Sequence, residues 1–274
     1  MDKETDNGTG NGMKPIDHLT RYYTESDEDA RLTSRRGRVE FLTTMRYIGK
    51  YLEKGMKVLE IGAATGRYSH ALAREGYEVA AVELVRHNLD ILIAKTEPGE
   101  KITATEGDAT DLSFFPDGAF DMTLLLGPMY HLYTAADQKQ ALSEALRVTK
   151  KGGTLCVAYC VVDAPIVQHG FKAGHMLEFI ESGVVDKDTF RQAMIPEELF
   201  QCCRKEDVDA LMEGLPAKRL HYAATDLFTH YISEAVDAMD DETFDLYMKY
   251  HFFLCERPDM LGVTNHSLDV LRKL

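Results

Sequence analysis

The residues in this chain best suited to chemistry sit where short apolar runs end. Lys57-Val58-Leu59-Glu60-Ile61 passes into the small-residue stretch Gly62-Ala63-Ala64-Thr65-Gly66, and helical spacing resumes through Tyr68, Ala71 and Leu72. A glycine turn between a strand and a helix lets the backbone approach a ligand closely, and the first N–H groups of the helix point at it. Acids stand near the ends of the next two runs, Glu83 after Glu78–Val82 and Asp108 after Ile102–Thr105. A carboxylate so placed can accept two hydrogen bonds. Beyond the fourth run, Tyr130 and His131 each carry a group that can donate or accept. Histidine titrates at about 6.5 by default, which suits a general base. A structural histidine hydrogen-bonded to a covering segment is the plainer reading of the same residue.

The glycine spacing narrows the ligand. In the dinucleotide pattern G-x-G-x-x-G, the three positions hold Gly62, Ala64 and Arg67, so two fail. In the spacing G-x-G-x-G only Ala64 departs. Metal chemistry finds no motif: there is no H-E-x-x-H or H-x-x-E-H, and the five cysteines form no C-x-x-C pair, so no metal is expected.

The elements that position these residues follow from the rhythm of the chain. Met1 to Gly12 is polar and Gly/Asn-rich, and residues 1–15 read as a flexible tail. Residues 16–52 form a helical cap, with Val39, Leu42, Met45, Tyr47 and Ile48 along one face. Within 53–162, strands at 57–61, 78–82, 102–105, 120–126 and 154–162 alternate with helices. One of these spans Thr134–Thr149, opened by a capping-box spacing between Thr134 and Asp137. That alternation predicts an α/β fold, doubly wound and Rossmann-like, with a mostly parallel seven-stranded sheet. The alternation breaks at 163–217, a lid or substrate cover with helix-like pieces at His175–Ser182 and Glu197–Gly214 and no clear strand. Residues 218–274 supply the last strands, around Leu220–Ala224 and His266–Leu271, with a helix near Asp241–Cys255 between them.

The run Glu60-Ile-Gly62-Ala-Ala64-Thr-Gly66 resembles the first motif of the class I S-adenosylmethionine-dependent methyltransferases. Glu83, Gly107-Asp108-Ala109, Phe120-Asp121-Met122-Thr123 and Arg147 to Gly153 follow in the order and spacing of that family's later motifs. The resemblance implies S-adenosyl-L-methionine as cofactor. It places the backbone of Gly62, Ala63, Ala64 and Gly66 and the acid Glu60 around the ligand. Glu83, followed by Leu84, would take both ribose hydroxyls, Asp108 and Ala109 the adenine edge, and Leu126 the wall after the fourth strand. Tyr22-Tyr23, Ser34 to Phe41 and Gly127 to Leu132 resemble the small-molecule, ubiquinone-biosynthesis-type subgroup. In that group the segment before the first strand folds over the cofactor, which makes Tyr23 and Arg38 expected contacts. Tyr130 and His131 are the expected catalytic pair. Gly127-Pro128-Met129-Tyr130 lacks the Asn/Asp-Pro-Pro-aromatic loop of enzymes that methylate nucleobase or glutamine amines.

Composition bounds the partners. Lys plus Arg number 31 against 45 Asp plus Glu, a net charge of −14, which repels phosphate backbones and anionic membranes. No apolar run reaches the 18 to 20 residues that span a bilayer. With no secretion signal, the chain reads as cytoplasmic, with reduced thiols, a small-molecule acceptor, and a monomeric or homodimeric state. Two other classes remain open at this level: a nicotinamide-dependent oxidoreductase, and a noncatalytic module that binds S-adenosylmethionine. Phe171, Met176, Leu177, Phe179 and Ile180 would form either an apolar wall for the acceptor or the cover's own core.

Overall fold

A computed structural model describes residues 15–25, 33–195 and 198–274. Five parallel strands carry the first half of the chain: β1 (Lys57–Ile61), β2 (Glu78–Glu83), β3 (Lys101–Glu106), β4 (Phe120–Leu125) and β5 (Thr149–Val161). Helices α3 (Arg67–Arg74), α4 (Arg86–Lys95) and α5 (Ala135–Val148) link them, and α1 (Pro15–Glu25) and α2 (Arg35–Gly49) precede them. After β5 come α6 (Met176–Glu181), the two-residue β6 (Cys202–Cys203), α7 (Lys205–Met212) and β7 (Ala217–Ala224). The chain closes with α8 (Ser233–Asp237), α9 (Asp241–Leu254) and β8 (His266–Lys273).

The strand order is β3-β2-β1-β4-β5-β8-β7, with β6 beside β5. Because β1 pairs in parallel with both β2 and β4, the chain winds outward in one direction and then returns to the other side of β1. That reversal opens a crevice at the carboxyl ends of β1 and β4. Among the described strands only β8 runs against its neighbours, antiparallel to both β5 and β7.

Alternate side chains of each central strand enter different cores. Leu59, Ile61, Val82 and Leu125 pack with Ala141, Leu142 and Ala145 of α5, while Val58, Val79, Met122 and Leu124 pack with Tyr47 and Ile48 of α2 and Leu72 of α3. Burial on both faces is why these strands read as apolar runs rather than as alternating ones. The Thr134 cap is present: its hydroxyl accepts from the Asp137 N–H and donates to the Asp137 carboxylate.

Four local expectations change. Among the described residues, the helical stretch expected over 16–52 holds two helices, the second capped by Ser34, whose hydroxyl accepts from the Gly37 N–H. The fifth strand begins at Thr149, five residues early, since it pairs with Phe120 before the bulge that separates Phe120 from Met122. A short strand does exist in 163–217, where Cys202 and Cys203 pair with Cys160 and Val161. That pairing holds the segment extended, so the helix expected over Glu197–Gly214 is confined to Lys205–Met212 among the described residues.

Candidate active site

Four loops meet in the crevice, and close backbone approach shapes its floor. Gly62 has φ +75°, and a Cβ built on it would lie 2.6 Å from Pro128 Cδ, so the β1 and β4 loops can touch only through a glycine. The N–H groups of Gly62 and Ala63 donate to the Val82 carbonyl at 2.8 and 3.1 Å, which fixes the turn against β2. Ala64 follows in the left-handed region at φ +47°. Its N–H donates to Glu83 Oε2 at 2.8 Å, and the Val85 N–H donates to Oε1, also at 2.8 Å. Glu83 therefore ties the β1 and β2 loops together. A carboxylate offers about four acceptor positions, so it can hold this turn and still receive ligand hydroxyls.

Glu60 also lines the crevice, at 2% exposure. Burial pushes its carboxyl up to about 8, against a hydrogen bond from the Ser69 hydroxyl that favours the charged form. Asp108 sits at the rim, where Oδ1 accepts from both the N–H and the hydroxyl of Thr110 at 2.8 Å. Ala63, Leu84, Ala109 and Leu126 complete the wall. Gly66 stands just behind the lining as the cap of α3, at φ +88°. A Cβ there would meet Leu92 at 2.7 Å and His70 at 2.9 Å, so packing and backbone conformation both demand glycine.

Asn88, in the first turn of α4, faces the same crevice at 1% exposure, and its Oδ1 has no hydrogen-bond partner among the described residues. A buried amide oxygen left unpaired costs about 1–3 kcal/mol, which a ligand donor would recover. This orphan acceptor, the close-packed glycine turn and the Glu83 carboxylate suit a ligand carrying a polar nucleoside. No motif marks Asn88 in the sequence. Its position three residues past Val85, on the inner face of α4, was the only available signal.

Arg38 is not part of this crevice. Its guanidinium lies over the Phe244 ring, 5.1 Å from the centroid, because the neighbouring Val39 is buried against Val236, Phe244 and Met248 and turns that stretch of α2 toward α9. Arg67 lines the crevice instead and stacks on Phe41 at 4.7 Å.

Tyr23, from α1, reaches across to His131, with its hydroxyl 2.9 Å from Nε2. His131 Nδ1 lies 2.9 Å from the Leu199 carbonyl, which can only accept, so Nδ1 carries the hydrogen and Nε2 receives the tyrosine O–H. Burial pushes the His131 imidazole down to about 4, so it is neutral at physiological pH. His131 thus touches the covering segment and the crevice together, and Tyr23 occupies its basic nitrogen. The Tyr130 hydroxyl donates to the Leu126 carbonyl at 3.0 Å, which fixes its ring in place.

Tyr23 and Tyr130 also border a second chamber, shared with Tyr22, Arg36, Glu40, Phe200, His230 and His266. Phe200 packs 5.5 Å from Tyr22 and 5.1 Å from His131, closing an aromatic roof. Of the two roles open to the apolar residues of 163–217, packing the cover's own core is the one that Met176, Phe179 and Ile180 take. Phe171 and Leu177 are exposed, and Met176 is buried with Val162, Ile166 and Val185, joined by Phe179 and Ile180, as the segment's own small core.

Residues 59–157 match a family model described as a methyltransferase domain. A demethylmenaquinone methyltransferase of Clavibacter sepedonicus is 29% identical over 118 residues, covering 43% of this chain and 46% of that protein. Another, from Paenarthrobacter aurescens, is 36% identical over 104 residues, 38% of each chain. A cypemycin N-terminal methyltransferase of Streptomyces is 37% identical over 100 residues, 36% of this chain and 40% of its own length. The chain spans less than half the length of these curated relatives. Among solved structures, a Thermotoga maritima protein described as an S-adenosylmethionine-dependent methyltransferase, possible histamine N-methyltransferase, superposes with TM-score 0.59 at 17% identity, over 95% of this chain and 99% of its own. A Pyrococcus horikoshii protein reaches 0.60 at 18% identity over 96% and 100%. At such identities the likeness is one of fold.

Proposed function

We propose that this chain, whose residues 59–157 match a methyltransferase domain, is a class I S-adenosylmethionine-dependent enzyme that transfers a methyl group to an oxygen, nitrogen or sulfur atom of a small molecule. The observation that carries this reading is the Glu83 carboxylate, clamped between the Ala64 and Val85 N–H groups where the two loops converge. S-adenosylmethionine, when bound, supplies an electrophilic methyl on its sulfonium. The chain's own residues then have three tasks.

The first is binding. Glu83 accepts ribose hydroxyls, Asn88 Oδ1 and Asp108 accept at the base, and the Gly62–Ala64 backbone admits the rest of the ligand. Glu60, held largely protonated by burial, gains a reason to ionise when a cationic ammonium comes near, because an opposite charge favours the carboxylate. The second is alignment. Methyl transfer is an in-line displacement, and holding two reactants in register can supply roughly 7–11 kcal/mol of the barrier. Tyr130, fixed by Leu126, and the aromatic roof restrict how an acceptor lies in the second chamber and exclude water.

The third is proton handling, where the acceptor needs it. Tyr23 is the group placed to touch the acceptor, and His131 stands behind it. As an acceptor loses its proton to the Tyr23 oxygen, the Tyr23 proton passes to His131 Nε2, and the Leu199 carbonyl steadies the resulting imidazolium through Nδ1–H. Since burial has moved the His131 titration to about 4, its limb in the rate profile belongs near that pH and not near 6.5.

The decisive experiment incubates the protein with methyl-labelled S-adenosylmethionine and a panel of small phenols, amines, carboxylic acids and thiols. Labelled product together with S-adenosylhomocysteine is the expected result. Tight cofactor binding by calorimetry with no turnover across the panel would favour a binding module, and stabilisation by NADH in place of S-adenosylmethionine would favour an oxidoreductase.

A further inference from the structure

We propose that Asp226, His230 and His266, joined by Glu40, bind a divalent transition-metal ion at the inner end of the second chamber. Asp226 Oδ2 lies 2.6 Å from His266 Nδ1 and 3.1 Å from His230 Nε2, and one donor atom from each of the three residues falls within a 4.8 Å cluster. Glu40 Oε2 is 3.7 Å from the same His266 nitrogen. Metal–nitrogen and metal–oxygen bonds of about 2.0–2.2 Å place neighbouring ligand atoms roughly 3 Å apart around one ion, the spacing these four side chains bracket.

The cluster is built before any ion arrives. Asp226 is fully buried, and its other oxygen, Oδ1, accepts from the Asn265 N–H at 2.9 Å, the His266 N–H at 3.2 Å and the Thr264 hydroxyl. With the two imidazoles at Oδ2, five donors converge on a group with about four acceptor positions. One cation in place of the imidazole hydrogens satisfies the carboxylate with fewer partners. The backbone enforces the arrangement: His230 ends the 3-10 turn Leu227–His230, which begins directly after Asp226, and His266 opens β8, its carbonyl accepting from the Thr225 N–H at 2.9 Å. Ligands so oriented by neighbours are what a defined metal geometry requires.

The donor set chooses among ions. Two imidazole nitrogens and two carboxylate oxygens suit zinc, iron(II), cobalt, nickel or manganese better than magnesium or calcium, which favour all-oxygen shells. Both imidazoles border the chamber that Tyr23 and Tyr130 share with the crevice, so an ion here would keep a coordination position facing the acceptor. If the methyl-transfer reading holds, on which this last step alone rests, the acceptor class is one that chelates through two oxygens, such as a catechol or an α-hydroxy acid.

The test uses the full chain freed of metal by a chelator and passed through metal-free buffer. Titration with cobalt(II), followed by its visible absorption, and with zinc(II), followed by calorimetry, should show one saturable equivalent per chain. His230→Gln and His266→Gln should each weaken that binding at least tenfold, and Glu40→Gln a few-fold, with unchanged circular dichroism. Because Asp226 also anchors residues 264–266, Asp226→Asn complements Asp226→Ala should the latter not fold. Absence of a saturable cobalt spectrum in folded wild-type protein would overturn the proposal, as would equal affinity in His230→Gln. S-adenosylmethionine binding by the metal-free protein is measured alongside. Its loss would count against the methyl-transfer reading and leave the metal site standing.

Discussion

The crevice at the carboxyl ends of β1 to β4 and the chamber beneath α1 and α2 adjoin through Tyr23 and Tyr130, yet they are made differently. Main-chain groups at strand ends dominate the crevice: the Gly62–Ala64 turn, the Val85 N–H, and the loops carrying Glu83 and Asp108. These segments lie within about fifty residues of one another and recur at each strand-to-helix turn. Side chains dominate the chamber, drawn from α1, α2, the loop before β6, the turn before α8 and the start of β8. A ligand common to a whole family can be held by backbone, which tolerates sequence change. A ligand peculiar to one enzyme must be read by side chains, and these arrive from wherever the fold brings them.

Substitutions in the crevice should therefore act on cofactor binding, and those in the chamber on turnover. The largest effect belongs to Gly62→Ala, which meets Pro128 and demands a left-handed alanine. Backbone strain and overpacking together cost roughly 2–5 kcal/mol, so cofactor affinity should fall by about a hundredfold or more, with a lowered melting temperature. An unaffected calorimetric titration would show that the two loops can separate freely. Glu83→Ala comes next. Losing charge-assisted hydrogen bonds worth about 1.5–3 kcal/mol should weaken S-adenosylmethionine and S-adenosylhomocysteine alike by at least tenfold. The unpaired Ala64 and Val85 N–H groups should also destabilise the unliganded protein.

Glu60 gives a pH signature. Its carboxyl is raised in the folded state from 4.5 to about 8, so its contribution to stability is complete below 4.5 and is lost as pH rises toward 8. Glu60→Gln should remove that loss, gaining on the order of 3 kcal/mol relative to wild type between pH 5 and pH 7.5. Parallel denaturation curves at the two pH values would contradict the buried neutral acid.

Tyr23→Phe crosses from crevice to chamber and sharpens the contrast most directly. It keeps the ring and removes the O–H that His131 receives, so kcat should fall by about tenfold while cofactor affinity stays within twofold. An equal loss in cofactor affinity would mean that Tyr23 belongs with the crevice. The smallest effect is Ala64→Gly. Relief of a left-handed alanine is worth roughly 1–2 kcal/mol, partly offset by about 0.5–1 kcal/mol of added freedom in the unfolded chain. A rise of a few degrees at most in melting temperature is the expected reading.

Parallel strands buried on both faces announce themselves as apolar runs, and glycine punctuates their ends, so the order of strands and helices through Val161 was legible from residues alone. The methyltransferase resemblance singled out Glu60, Glu83 and Asp108 near strand ends, and all three line the crevice. What residue order lacked was any measure of which distant side chains share a space. Arg38 and Arg67 are equally basic, but only the burial of Val39 sends the first to Phe244, and only the start of α3 brings the second to the crevice. Asn88 has no motif, and its unpaired oxygen appears only once α4 is packed. Asp226 and His266 lie forty residues apart with no recognisable ligand spacing, and β8 must run antiparallel beside β7 before they meet. Sequence determined the local elements and the loops at their ends, since hydrogen-bonding period and backbone conformation are local properties. The tertiary structure decided the protonation of His131, the partner of Tyr23 and the membership of the second chamber, since burial and long-range contact exist only after the chain has closed on itself.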